Sequence, residues 1–568
     1  MVTRHSFPSS PKARSLNPGT TRRDLLKIGG VMAAASGAAP LLRFDAQASA
    51  AENSPGQKVV DRAPDNRLAE SYDLRVDAAK LELEQGAVPH PANRDEAQFP
   101  NGIANFTKGL PHDQFGETDL RIYQDYLTAL GAGSQAALDA LVLGGKVPLT
   151  NPLAGLAFDL EGADSHQLAI PAAPSFSSAQ RAAETVEVYW QAVLRDLPFA
   201  QYLTDPTAQL AAAELSALWA FTGPRDSQGK VTGATLFRGF TPGDLIGPYV
   251  SQLLLKPFSY GAVVIGAGYK TELPLSQGGS DYLITFADWL SCQNGTAPAA
   301  VVHPDPTPRF PRLGRDLGVY VHTDTPYEAY FNAAQMLAAL GAPLNPANPY
   351  KKSETEAGFV TFGTPHLLAL LREVSSRALK AVWYEKWYVH RVIRPEEFGG
   401  RIHLNLTGQK NYPIDASILD SRAVHEVFAR NNTYLLPLQY REGCPQHSSY
   451  AQGHGVIAGA CVTVLKWFFD ESFVIPEPVV PSEDGTELLP YGGSDAAQMR
   501  LGNEADKLAG NIGIGRNFAG VHYRSDYQEG LLLGEALAIS VLRDQAATYS
   551  EDYQGFTFTR FDGRPETV

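Results

Sequence analysis

Three well-separated stretches carry residues suited to holding and working on a multiply charged oxyanion. The first, "KWYVHRVIRP" at 386–395, places Lys386, His390 and Arg394 four residues apart. At about 100° per residue a helix would turn these three into one sloping stripe, about 40° apart. Taken alone, such a stripe reads as a solvated basic face. Acidic partners are scarce, however: Glu385 is nearby but is not spaced for an i,i+4 pair with Lys386. The second, "CPQHSSYAQGHGVIAGACVTVL" at 444–465, runs through Gln452-Gly453-His454 into an apolar segment. Its glycines permit close backbone approach, and first-turn helix amides attract anions. The third, "NIGIGRNFAGVHYRSDY" at 511–527, sets Arg516 and His522 among glycine and apolar residues. A buried guanidinium needs an anion, which Asp526 or a ligand could supply. Together the stretches offer three permanent cations, a helix N-terminus at Gly453, and the imidazoles of His454 and His522. A tetrahedral oxyanion such as phosphate, sulfate or vanadate satisfies that set. Histidine adds a nucleophile, a ligand or an acid–base group at neutral pH.

Helices must position these groups. Apolar residues recur at three- and four-residue spacing in "ETDLRIYQDYLTALGAGSQAALDALVLGG", in "SSAQRAAETVEVYWQAVLRDLPFAQY" behind a serine N-cap, and in "PYEAYFNAAQMLAALGAPLNP" before Gly341. Four longer helices are expected in the C-terminal third. They run from about 366 to 393, where Pro395 stops the first, from 452 to 470, from 502 to 520, and from a Ser525-Asp526 N-cap to about 543. Loops rich in glycine and proline, such as 222–245 and 267–281, join the helices, and alternating strand patterns are scarce. The expected fold is all-α, a helical bundle with long irregular loops.

These residues resemble the vanadium-dependent haloperoxidases, whose helical-bundle core and anion pocket are shared with type 2 phosphatidic-acid phosphatases and class A acid phosphatases. The family pattern is Lys, then Arg-Pro, then Ser-Gly-His, then Arg, five residues, His. Here it is matched by Lys386 with Arg394-Pro395, by Gln452-Gly453-His454, and by Arg516 with His522. Seven residues between Lys and Arg, with "NFTKGLPHD", "RGFTPGDLIGPYVSQ" and "GRNFAGVHYRSDYQEGLLLGE", are similar to the red-algal bromoperoxidase branch.

The resemblance implies vanadate as cofactor, with His522 as the ligand to vanadium. It implies that Lys386, Arg394, Gln452, Gly453 and Arg516 hold the vanadate oxygens. His454 would be the acid–base residue for hydrogen peroxide, Lys386 would polarise the peroxide, and His447 would tune His454 or halide preference. Vanadium would stay at +5 as a Lewis acid, with no haem or flavin. Halide, bromide or iodide, would be oxidised to hypohalous acid that halogenates small organic acceptors. Gln452 departs from the family serine and replaces a hydroxyl by a longer amide. Two other readings use the same pocket. One is an acid phosphatase with His522 as nucleophile and His454 protonating the leaving group. The other is an oxyanion-binding protein without turnover.

The chain has 568 residues, of which 44% are hydrophobic, enough for a sizeable core, with a formal net charge of -14. That balance argues against a general nucleic-acid binder, while a local cationic pocket remains compatible with it. Three cysteines, Cys292, Cys444 and Cys461, form no disulfide framework. Arg22-Arg23, a mild apolar run over 28–42 and small residues at 48–50 resemble a twin-arginine export signal over residues 1–50. That implies a periplasmic or secreted protein. No later apolar run reaches the roughly 20 residues of a membrane span. The expected organisation is that signal, an N-terminal helical region with a polar arm over 51–340, and a C-terminal vanadate-binding bundle over 341–568. Red-algal relatives suggest a homo-oligomer.

Overall fold

The computed structural model describes residues 64–266, 268–296 and 298–568; the expected export signal lies outside them. Helices of ten or more residues, numbered in chain order, are α1 (Pro64–Gln85), α2 (Leu120–Ala132), α3 (Ala179–Val193), α4 (Pro206–Ala217) and α5 (Glu328–Ala339). They continue with α6 (Thr364–Tyr384), α7 (Pro395–Leu406), α8 (Arg422–Asn431), α9 (Gly453–Phe468), α10 (Leu501–Phe518) and α11 (Arg524–Ala546). The strands among the described residues form three antiparallel hairpins: Phe258–Tyr260 with Val263–Ile265, Val479–Pro481 with Leu488–Pro490, and Thr557–Thr559 with Pro565–Thr567. This is the all-α architecture with long loops expected from the sequence. Ala69–Val568 form one compact unit.

The centre of that unit is α9. Its sequence "GHGVIAGACVTVLKWF" is apolar on every side and is buried from Gly455 to Phe468, as a helix without a polar face must be. α11 crosses it at backbone distance. A β-carbon on Gly459 would stand 2.0 Å from the Leu531 carbonyl oxygen, and one on Gly534 equally close to Val456 O. Only glycine permits this crossing, which packs the N-terminal half of α11 against the N-terminal half of α9. α10 packs on both and is buried from Glu504 to Phe518. All three cysteines are buried and free, and no described helix is long and apolar enough to cross a membrane.

One expected helix is divided. The segment expected to run to Ile393 is α6 up to Tyr384, then a π-turn over Glu385–His390. It ends at Arg391, whose φ of 42° lies in the left-handed region. Such a conformation is costly outside glycine, and two contacts hold it. Arg391 donates to Glu96 through Nε (2.8 Å) and Nη2 (2.6 Å), and Arg391 O accepts from Phe106 N (2.8 Å). Pro395 does not stop a helix; it is the first residue of α7. Its ring forces Arg394 into extended backbone (φ -80°, ψ 155°). Lys386, His390 and Arg394 therefore do not share one stripe. His390 turns away, with Nε2 3.0 Å from Glu385 Oε2 and its ring 4.8 Å from that of Tyr450.

Candidate active site

The two helix starts, α7 and α9, and the α10–α11 junction converge on one cavity of about 390 Å³. Arg394, at the N-cap of α7, is fully buried and spans the site. Its Nε donates to His447 O (2.8 Å), and its Nη2 donates to His447 Nδ1 (2.9 Å). Its Nη1 donates to Val521 O (2.7 Å) and to His522 Nε2 (3.0 Å).

These donors fix the histidine tautomers. A guanidinium only donates, so His522 Nε2 presents its lone pair and the ring proton sits on Nδ1. That proton goes to Asp526 Oδ2 at 2.8 Å. Asp526 ties the site together. Oδ2 also accepts from Tyr523 N (3.1 Å) and from Ser449 Oγ, while its carbonyl accepts from Gln452 N at the head of α9 (2.8 Å). Burial first, then the Arg394, Lys386 and Arg516 cations, hold the His522 imidazole well below its ordinary pKa near 6.5. It is a neutral nitrogen base aimed into a cationic cavity.

Lys386 is fully buried, and its Nζ donates to Ser448 O (2.8 Å) and Ser449 O (2.7 Å). Burial, then the Arg394 and Arg516 charges, push its ammonium well below the ordinary lysine range. Arg516 donates from Nη1 to Val321 O (2.7 Å) and Tyr440 OH (3.2 Å), and its Nε is buried without a partner. The anion partner suggested by sequence, Asp526, is taken by His522 instead.

His454, in the first turn of α9, donates from Nε2 to Asp324 Oδ1 at 3.0 Å. Burial alone would raise the Asp324 carboxyl. The His454 ring, which donates to it, and the Arg516 guanidinium outweigh burial and hold it below the usual carboxylate range. His447 lines the same cavity beside the Trp383 ring (centroids 4.8 Å apart). Burial, then Arg394 and Lys386, hold its imidazole well below 6.5.

His447, Gly453, His454, Arg516 and His522 line the cavity, and Arg394 reaches it through its bond to His522. Gln452 does not point there. Its amide Nε2 donates to Gly513 O (3.1 Å) and Asn517 Oδ1 (3.4 Å) in α10, and it makes no cap bond to α9. The sequence reading missed Asp324, Tyr440 and Trp383. Asp324 lies 130 residues from His454, while Trp383 and Tyr440 stand only a few residues before the first and second stretches and carry no pattern that marks them as cavity walls. Asp526 had a readable signal, the i,i+4 step from His522 across the start of α11.

Arg516 lines this cavity and Arg394 reaches it through His522, whereas Lys386 is not among the lining residues and its Nζ is held by the Ser448 and Ser449 carbonyls; the one carboxylate bonded to His522 already serves three donors. An unpartnered buried guanidinium nitrogen and depressed lysine and histidine pKa values are what a missing anion leaves behind. A tetrahedral oxyanion beneath His522 Nε2 fits the donor set.

The family model for the second helical-bundle domain of VCPO matches residues 366–551. Over 591 residues the chain is 34% identical to the vanadium-dependent bromoperoxidase of Corallina pilulifera, covering 88% of this chain and 98% of the relative. This chain belongs to the vanadium-dependent bromoperoxidase family. A member from Ascophyllum nodosum is also 34% identical, over 88% of this chain and 92% of the relative. The homohexameric structure of the second vanadate-dependent bromoperoxidase from Ascophyllum nodosum superposes with a TM-score of 0.85, at 30% identity over 95% of both chains. For this bromoperoxidase-family chain, the converging cations and the His522 nitrogen are the feature that the family's cofactor requires.

Proposed function

We propose that this chain is a vanadium-dependent haloperoxidase. It oxidises bromide or iodide with hydrogen peroxide to hypohalous acid, which halogenates small organic acceptors. The observation that carries the reading is the lone pair of His522 Nε2, fixed by Arg394 on one side and Asp526 on the other, in a cavity that the Arg516 guanidinium lines.

His522 Nε2 is the nitrogen that would bind vanadium. Lys386, Arg394, Arg516 and the amide end of α9 at Gly453 would hold the vanadate oxygens. When bound, vanadium at +5 supplies Lewis-acid activation of hydrogen peroxide toward halide. His454 keeps its Nε2 proton on Asp324, so its Nδ1 would be the atom that takes a proton from incoming hydrogen peroxide. Lys386 adds positive charge where oxygen is transferred. His447, held by Arg394, shapes the halide side of the cavity. Gln452 supports α10 with its side chain, so its share in holding vanadate falls to its neighbour's amide.

We extend the proposal to export of the folded protein by the twin-arginine route to the periplasm or medium, on the strength of Arg22-Arg23 and the apolar run behind it. A homo-oligomer fits the homohexameric Ascophyllum structure, with the segment 51–115 as a candidate subunit contact. The test of function is vanadate-dependent bromination of monochlorodimedone by purified protein given bromide and peroxide. Phosphomonoester cleavage without that activity would favour the acid phosphatase instead.

A further inference from the structure

The stretch "NFTKGLPHD" at 105–113 supplies no lining residue to the cavity, yet it holds the parts that build it. Glu396 and Glu397 follow Arg394-Pro395 in the first turn of α7. Glu397 Oε1 accepts from Thr107 N (2.9 Å), Thr107 Oγ1 (3.1 Å) and Lys108 N (3.1 Å), and its Oε2 accepts from Arg394 N (3.1 Å). Lys108 Nζ stands 2.9 Å from Glu396 Oε1 and donates to Glu442 O (2.9 Å) and Cys444 O (2.7 Å). An ammonium has three protons, and all three are engaged here. Glu396 in turn accepts from Cys444 N and from Gln293 Nε2 (2.6 Å). Lys108 and Glu396 are both buried.

The ammonium thus joins the turn that carries Arg394 to the backbone of 442–444. That same segment walls the cavity through Glu442, Gly443 and Pro445 and continues to His447. Gly443 has a φ of 68°, and a β-carbon on it would stand 2.0 Å from Glu396 Oε2, so the carboxylate lies directly against the backbone of the wall. Cys444 Sγ reaches Gly520 O and Val521 O, both at 3.9 Å, in the turn before His522. Arg394 closes the circuit. Its fork must meet His447 O, His447 Nδ1 and His522 Nε2 at once, and such bonds weaken steeply when their angles are lost.

We propose that Lys108 is a positioning residue of the anion site. Its ammonium fixes the wall 442–447 against the start of α7, so that Arg394 holds His447 and His522 in the register an oxyanion requires. The proposal rests on the oxyanion pocket of the haloperoxidase reading and adds a residue that touches neither anion nor substrate. Two roles for the buried pair are separable. A cation that only neutralises Glu396 could be removed together with it at little cost. A cation that also ties two wall carbonyls could not be removed without loosening the wall.

The test uses full-length, vanadate-free protein. Binding of inorganic phosphate is measured by calorimetry and stability by urea unfolding, in wild type, Lys108→Met and the double variant Lys108→Met/Glu396→Gln. The single variant leaves a buried carboxylate without its cation, so it should lose both stability and phosphate affinity. The double variant should regain most of the stability while still binding phosphate about tenfold or more weakly than wild type. Its amide exchange should be faster over 442–447 and unchanged in α9 and α11. A double variant that binds phosphate within about threefold of wild type would show that the pair only balances charge. A double variant that does not fold would show that it supports the fold rather than the site. Either result overturns the proposal. Vanadate-dependent triiodide formation by wild type is followed in parallel; its absence would remove the haloperoxidase reading and leave the phosphate result to decide the role of Lys108.

Discussion

Replacing Arg516 by methionine separates binding from folding with opposite signs. Its Nε is a buried donor with no partner, while Nη1 already serves Val321 O and Tyr440 OH. An oxyanion in the cavity gains one charge-assisted hydrogen bond from that free donor, worth about 1.5–3 kcal/mol. At about 1.4 kcal/mol per tenfold, Arg516→Met should weaken vanadate binding about 10- to 150-fold. The vanadate-free protein should respond differently. Removing this buried charge relieves repulsion on Lys386 and His522, both of which Arg516 holds down. Against this, Asp324 loses the cation beside it and Val321 O loses its donor, the latter a cost of about 1–3 kcal/mol. These nearly cancel, so the unliganded variant should unfold in urea within about 1 kcal/mol of wild type. Vanadate titration by calorimetry and urea unfolding give the two quantities on the same preparations. Vanadate binding within threefold of wild type, or a vanadate-free protein destabilised by more than about 3 kcal/mol, would show that Arg516 braces the fold rather than holding an anion.

The other expectations concern the remaining pocket residues. His522→Ala should abolish vanadium binding, while His454→Ala keeps much of it and loses turnover; metal analysis and bromination rates separate them, and equal metal loss in both would refute the assigned roles. Gln452→Ser places a hydroxyl at the N-cap of α9 in exchange for an amide that faces α10. It should tighten vanadate by up to about tenfold, one hydrogen bond of about 0.5–1.5 kcal/mol, and unchanged affinity would mean that the hydroxyl does not reach the anion. His447 is held well below 6.5, so below that pH the unfolded chain binds a proton that the fold refuses. Stability due to its neutral form is present above pH 6.5 and is lost as pH falls, at up to about 1.4 kcal/mol per pH unit. Burial raises the carboxyls of Glu184 to about 7 and of Asp244 to about 6, which titrate in the opposite sense. The effect is therefore read as wild type minus His447→Gln, between pH 6.5 and 5.5 without vanadate, and a flat difference would contradict it.

The helical fold and most of the pocket were legible because their signals are local. The uninterrupted apolar run behind Gly453 declares a buried helix, and glycines at 453, 455 and 459 mark close packing. Permanent cations in apolar surroundings at 386, 394 and 516 demand an anion wherever the chain takes them. What stayed hidden depends on contacts far along the chain. Helical periodicity put Lys386, His390 and Arg394 on one stripe. The Arg391–Glu96 pair instead supports a left-handed residue that breaks the helix, so Arg394 arrives from the start of a new one. Gln452 occupies its motif position, yet its side chain is drawn to Gly513 and Asn517, which no local pattern announces. Asp324 reaches His454 across 130 residues, and Trp383, on an ordinary amphipathic helix, carries no mark of the cavity it walls.

The account stands on Lys386, Arg394, Arg516 and His522 enclosing one vanadate. The most direct measurement is vanadium content and bromination rate of the same purified protein, first stripped of metal and then titrated with vanadate. One vanadium per chain, with bromination of monochlorodimedone rising in step with occupancy and suppressed by added phosphate, is the result expected. Bromination that ignores vanadate, or stoichiometric vanadate uptake that His522→Ala leaves intact, would contradict it.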